Sequence, residues 1–363
     1  MASALALPPT NDCRAERGGH SSGLRASVRS DKCPQDGCFR RFLRGTPVAI
    51  ARTMDIKVFS PQELTLVLGA LRNIVVANER FTDAERALIE GVALIHGVEV
   101  DADDLEPVAF SDVARVVVEP HCRKRAVQLA LVAALVEGTP SPATNTAVRS
   151  FAQALELDEA GLAVLDEVTR GHAFLARFDM VRRVRRFITN SSQFPGFLDF
   201  SLPFLGVWSN ESMAARYREL EGCRAGSLGR AFYDHFIDNG FKFPGEAGGI
   251  PMVFHDLGHV LAGYGTDPQS EIQQAAFQAG FARRDGFSFL LFGILQFHIG
   301  LRITPVANGY RGLFDVPLVL TALRRGASCT VDLSENYDLF VDKDCPLDEV
   351  RSRLQIPPLA SGA

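Results

Sequence analysis

The chain lacks several features that would settle its class at once. No run of eighteen apolar residues occurs in its 363 residues, so no segment has the character of a transmembrane helix. The seven cysteines are odd in number and scattered, with no Cys-x-x-Cys pair. That argues against a disulfide framework and suits a reducing, cytoplasmic setting. Cys33 and Cys38 stand close together but lack the second pair of a structural zinc site. A net charge of -5 removes any general electrostatic reason to expect nucleic acid as a partner. No glycine-rich phosphate loop follows a strand-like run, and no nucleotide fingerprint is present.

What the sequence does contain is helical punctuation. Hydrophobic residues make up 47% of the chain, enough for proper cores in two or three domains. Residues 1–53 mix Pro, Gly, Ser and Arg without periodicity and predict a disordered tail. The tail is Arg-rich and acid-poor like a transit peptide, but Gly19, Pro34 and Gly37 interrupt any amphipathic helix. Translation from Met54 would leave it out altogether.

From Phe59 onward, helix signals recur. Ser60-Pro61-Gln62-Glu63 and Thr82-Asp83-Ala84-Glu85 are capping boxes, the first opening a helix whose Leu64, Leu68 and Leu71 share a face, the second one with Leu88, Val92 and Ile95. Asp112 or Pro120 opens a further helix through Ala126–Val136, and Ser141-Pro142 another through Val148, Phe151 and Leu155. Residues 76–82 and 135–141 share a layout at an offset of about 59 residues, an internal repeat. The expectation is all-α.

The stretch richest in chemistry is His255-Asp256-Leu257-Gly258-His259, with Glu271 after it. Residues four apart share a helix face, so both imidazoles can address one ion. Gly263 to Pro268 reads as a helix stop, a turn and a new start, with Asp267 as N-cap and Pro268 at the first helical position. A helical hairpin there returns Glu271 to the histidines. The candidate ligands are His255, His259 and Glu271, with Asp256 as a fourth ligand or as the outer acceptor that orients an imidazole. Such a set suits Zn²⁺, Fe²⁺ or Mn²⁺. A protease is excluded on chemistry, because Asp256 is one methylene shorter than the general-base Glu of His-Glu-x-x-His enzymes.

His-Asp-x-x-His, eleven residues and Glu resembles the signature of the coenzyme Q (ubiquinone) biosynthesis family known as Coq-four. Gly226 to Tyr233 and Pro346 to Arg351, with Leu354 and Ile356, look like that family's flanking segments. The resemblance implies a Coq-four-like metal and prenyl-lipid domain over 204–358, with zinc as the ion. It also implies a polyprenylated hydroxybenzoate as substrate. The reaction would be loss of the ring C1 carboxylate, alone or with hydroxylation at that carbon, so the chain would be a decarboxylase, a carbon-carbon lyase. Arg230 and Arg283 are candidates to hold the carboxylate and Tyr233 to line the pocket. The same resemblance allows a non-catalytic scaffold that binds an isoprenoid lipid and gathers quinone biosynthetic enzymes.

The duplicated half, residues 54–189, resembles the tellurite-resistance TerB family of helical domains. That family's loops carry Asp-Gly with a Glu seven residues on. Here Asn78-Glu79 with Glu85, and Glu137-Gly138 with Thr144, keep about half of the ligands, so packing, dimerisation or docking is the expected role. A linker follows over 190–203. The cluster Arg182-Arg183-Val184-Arg185-Arg186, followed by the apolar run Phe194 to Leu205, reads as a solvated face or as a peripheral contact with the inner membrane face. Phe287–Phe297 is apolar on nearly every face and predicts burial in the domain, a homodimer interface or an apolar tunnel. His298 reads as a core histidine, and His235 as a core histidine or pocket group. A His-Asp phosphohydrolase is a third function; it would need His235 with Asp285 or Asp315 and leaves Glu271 unexplained.

Overall fold

Two capping boxes set the beginning of the fold. Ser60 and Thr82 each accept a hydrogen bond from the backbone N–H three residues on, and Glu63 and Glu85 each accept one in return from the cap's own N–H. They open α1 (Pro61–Val75) and α2 (Asp83–Ile95). The computed structural model describes residues 55–189, 209–249, 252–304, 307–335 and 337–359, and backbone alone for 184–189. The expected tail, the linker 190–203 and the apolar run Phe194 to Leu205 lie outside the described residues.

The chain continues through α3 (Phe110–Val116), α4 (Pro120–Leu135), α5 (Pro142–Ala154), α6 (Gly161–Thr169) and α7 (Ala173–Thr189). From residue 209 onward come α8 (Glu211–Arg218), α9 (Leu228–Asp238), α10 (Val253–Ala262), α11 (Pro268–Phe281), α12 (Phe287–Phe297), α13 (Val316–Ala327), α14 (Leu339–Asp342) and α15 (Leu347–Arg353). The fold is all-α, and no strand occurs among the described residues. The split between α3 and α4 has a local cause: Pro120 lacks an N–H to continue a helix but fits its first turn, so a new helix starts there.

α4 is buried from Ala126 to its end. It therefore packs on all sides, as its apolar stretch requires, and the one polar residue in it, Gln128, donates to Glu159. α12 is buried along nearly all its length within the chain, which realises the first of the three settings expected for it. It lies against α11 on one side and against α4 and α7 on another.

Helices of the two sequence halves thus share one core. Leu320 of α13 fills the space beside Gly91 of α2, and Phe287 and Leu291 of α12 lie against Gly161 at the start of α6. Ion pairs cross the same seam, from Arg324 to Asp55 at 2.6 Å and from the buried Arg183 to Asp285 at 3.3 Å. The cavity left between α4, α12 and α13, lined by Leu129, Val132, Leu290 and Leu320, has room for about one water molecule. An isoprenoid unit does not fit there.

Candidate metal centre

The site begins with how α10 ends. Gly263 takes φ 80°, the left-handed conformation that glycine adopts without strain, and its N–H closes the helix on the His259 carbonyl. Asp267 then accepts hydrogen bonds from the N–H groups of Gln269 and Ser270, with Pro268 at the first position of α11. The turn is therefore short and fixed at both ends. A Cβ on Gly258 would collide with the Gln274 amide; the glycine lets α10 and α11 approach closely at the level of the site. Two arginines take up the last carbonyls of α10. Arg351 donates to Val260 and Leu261, and Arg325 to Ala262, at 2.9–3.0 Å.

On this frame His255 Nε2 and His259 Nε2 are 3.2 Å apart, and the Glu271 carboxylate lies 3.5 Å from the first and 3.6 Å from the second. The three ligand atoms fall within 4.8 Å of one another. Donors about 2.1 Å from a tetrahedral ion lie roughly 3.4 Å from each other, so the spacing fits. The outer partners fit as well. His255 Nδ1 meets Gln278 Oε1 at 3.0 Å, and His259 Nδ1 meets the Tyr264 carbonyl at 3.2 Å.

Both partners are acceptors when the Gln278 amide is read by its contact to His255, so each Nδ1 carries the hydrogen. Both Nε2 lone pairs then face one point beside a carboxylate. Two lone pairs and an anion at that distance repel unless a metal ion or a proton lies between them. His259 is almost fully buried, whereas the His255 and Glu271 side chains keep 27% and 20% of their exposure. The cluster is therefore partly accessible, at His255 and Glu271.

Burial opposes charge on both rings, yet Glu271, Asp256 and the Gln278 amide raise His255 to about 9. Burial and the charge on His255 lower His259 to about 3. In protein stripped of divalent ions the pair carries one shared proton over a wide range. The raised pKa of His255 contributes stability that is complete below about 6.5 and lost as pH rises towards 9. The depressed pKa of His259 contributes stability that is complete above about 6.5 and lost as pH falls towards 3. The pair's contribution to Tm, measured in chelator against a His255→Gln/His259→Gln protein, is expected to peak near pH 6.5. A difference that climbs steadily from acid to alkaline pH would contradict the shared proton.

The other expected site residues lie elsewhere. Asp256 is outside the cluster; its Oδ1 faces His235 Nε2 at 3.5 Å. Arg230 is tied to Asp234 at 2.7 Å and to the Glu221 carbonyl, and Tyr233 stacks on Phe243. Arg283 binds the Thr330 carbonyl at 2.6 Å, while its backbone N–H donates to Asp332. Both candidate carboxylate clamps thus already have protein partners. Asp285 pairs with Arg183, and Asp315 caps α13 by accepting from the Leu318 N–H, so neither joins the histidines as a phosphohydrolase would require. His298 is a core histidine whose Nδ1 accepts from the Phe314 N–H.

Gln274 and Gln278 are the functional neighbours that the motif did not point to. Gln274 donates to the His255 carbonyl at 3.1 Å. Their signal was available: Glu271, Gln274 and Gln278 recur at helical spacing, and buried amides need partners. Gln278→Leu, which removes the acceptor for His255 Nδ1, is expected to weaken metal binding 10–100-fold (order of magnitude) with the fold intact. Titration with Zn²⁺ against a competing chelator measures it. Comparison of the chain with protein-family models, curated proteins and solved structures found no match.

Proposed function

We propose that the chain binds a divalent metal ion through His255, His259 and Glu271 and acts on the carboxylated aromatic head of a polyprenylated hydroxybenzoate, as the Coq-four resemblance implies. The observation that carries this reading is the convergence of the two Nε2 atoms and one carboxylate in a cluster that stays partly accessible at His255 and Glu271. Three protein ligands with an open side are the pattern of a catalytic rather than a structural zinc site. Zinc follows from the resemblance; iron and manganese accept the same donors. Bound there, the ion would supply Lewis acidity toward a substrate oxygen.

The residues of the chain hold and orient. Gln278 and the Tyr264 carbonyl keep both imidazoles in the metal-binding tautomer, and α10 is pinned by Arg325 and Arg351. In the reaction the bond from ring C1 to the carboxylate carbon breaks, its electron pair stays on the ring, carbon dioxide leaves and a proton takes its place. Phe241 packs edge-on against His235, which stacks on His259. Phe241 and Ile237 are exposed, so an isoprenoid tail leaving the site has an apolar surface to follow.

A lipid substrate also calls for access to a membrane. No helix among the described residues is long and apolar enough to cross one. α7, however, carries Phe174, Leu175, Phe178 and Val181 exposed, opposite the buried Ala176, Met180 and Arg183. At 100° per residue Arg177 borders that stripe and Arg182 lies on it between Phe178 and Leu175, a mix of cation and apolar groups that suits an interfacial helix. Phe174→Glu/Phe178→Glu is expected to lower binding to anionic vesicles at least about tenfold, since burying each ring is worth about 1.5–3 kcal/mol. Equal binding by both proteins would remove α7 from the contact.

The test of the proposal is metal analysis and lipid mass spectrometry on the purified full chain, followed by decarboxylation of a prenylated hydroxybenzoate monitored by release of carbon dioxide. Metal, prenyl compound and turnover together support the reading. Metal and lipid without turnover favour the scaffold, and absence of both overturns it.

A further inference from the structure

Asp256 lies about 60° around α10 from His259, so a side-chain rotation would carry its carboxylate toward the ion site. Instead it faces α9. Its Oδ1 is 3.5 Å from His235 Nε2, and the two side chains are only 14% and 11% exposed. The His235 ring is locked in place: it stacks on His259 with centroids 5.5 Å apart and planes 22° apart, and meets Phe236 and Phe241 edge-on. Its Nε2 is buried without a hydrogen-bond partner. The Asp256 carboxylate is the acceptor it faces.

A mostly buried carboxylate beside a divalent cation is drawn to it by Coulomb attraction unless another partner holds it. If Asp256 joined His255, His259 and Glu271, four protein ligands would close the shell and a second carboxylate would cancel the ion's remaining charge. We infer that His235 is a positioning residue that holds Asp256 off the metal, so that the protein contributes three ligands and leaves one position for an outside oxygen. The inference rests on the proposed metal site. It assigns the Asp of the His-Asp pair to His235 and explains why a histidine is placed face to face with a ligand histidine.

The test uses Co²⁺ as the probe ion, whose visible spectrum reports ligand number and type, with azide as the outside ligand. Wild type should bind Co²⁺ and change its spectrum on adding azide. His235→Phe keeps the ring stack and removes Nε2. Its spectrum should show an added oxygen ligand, and the azide response should be lost. His235→Phe/Asp256→Asn should regain the wild-type spectrum and response, as should His235→Gln, which still offers an N–H to Asp256. A merely structural role for His235 would not produce rescue by a second loss at Asp256. A wild-type azide response in His235→Phe overturns the inference while leaving the metal site standing. If wild type fails to bind Co²⁺, the site itself falls and the inference with it.

Discussion

Replacing His259 with alanine is expected to strip the protein of its metal ion. His259 is the least exposed of the three ligands, and its Nε2 lies 3.2 Å from that of His255 and 3.6 Å from the Glu271 carboxylate. Loss of an outer partner of a metal ligand typically costs 10–100-fold in affinity, and loss of the ligand itself should exceed about 100-fold on the same scale. After dialysis, elemental analysis should find the ion in wild type and background in the variant. A stability measurement separates this from misfolding. An ion present at about 100 times its Kd stabilises the native state by about 2.7 kcal/mol, so a chelator should lower the wild-type Tm by several degrees. It should leave the Tm of His259→Ala unchanged. The variant's own loss of packing against His235 should cost about 1–3 kcal/mol, within reach of a folded protein. A wild-type Tm indifferent to both chelator and added Zn²⁺ would sink the metal reading, whatever the histidines look like in the fold.

What could be read from the sequence and what could not divide along one physical line. Ser60, Thr82, Gly263, Asp267 and Pro268 act on backbone groups within four residues of themselves, so their meaning is local and was legible. The same holds for His255 and His259 on one helix face, and for Glu271 once the turn was recognised. Asp256 shows the limit. Its position on α10 left it free to serve as ligand or outer acceptor, and what decides is His235 on a helix some twenty residues earlier. Arg283 likewise takes its partners from Thr330 and Asp332, contacts that no local pattern announces. Arg230 is different, because its Asp234 partner is four residues along the same helix and the pairing was there to be read. The sharing of one core by the two halves was also invisible locally, since the small residues at the seam, Gly91 and Gly161, look like ordinary weak points in a helix pattern.

Gly326→Ala is expected to destabilise the protein by about 2–4 kcal/mol, against the usual gain of about 1 kcal/mol for such a change in a helix. Neither Gly326 nor Gly280 has a positive φ, so the requirement for glycine here is one of space. A Cβ on Gly326 would strike the Phe277 carbonyl and the Gly280 Cα, and one on Gly280 would strike the Leu323 carbonyl and the Ala327 nitrogen. α11 and α13 thus touch backbone to backbone at two glycines, and this pair makes the most extensive helix contact among the described residues. Backbone atoms cannot swing aside as a side-chain tip can, so the helices must part. Gly91→Ala is the control: its new methyl meets the end of the Leu320 side chain, which can turn away, and its cost should be about 1 kcal/mol or less. At about 2–4 °C per kcal/mol for a chain of this order of size, Gly326→Ala should lower Tm by roughly 4–16 °C in a thermal melt and Gly91→Ala by far less. The consequence reaches the metal. Arg325, next in sequence to Gly326, holds the Ala262 carbonyl at the end of α10 and the Pro357 carbonyl, and α11 carries Glu271 and Gln278. A displaced α13 therefore loosens both helices that supply ligands, and Zn²⁺ affinity should fall in Gly326→Ala but not in Gly91→Ala. Equal Tm values for the two variants would mean that the helix pair can separate without cost, and the site would then need another source of its rigidity.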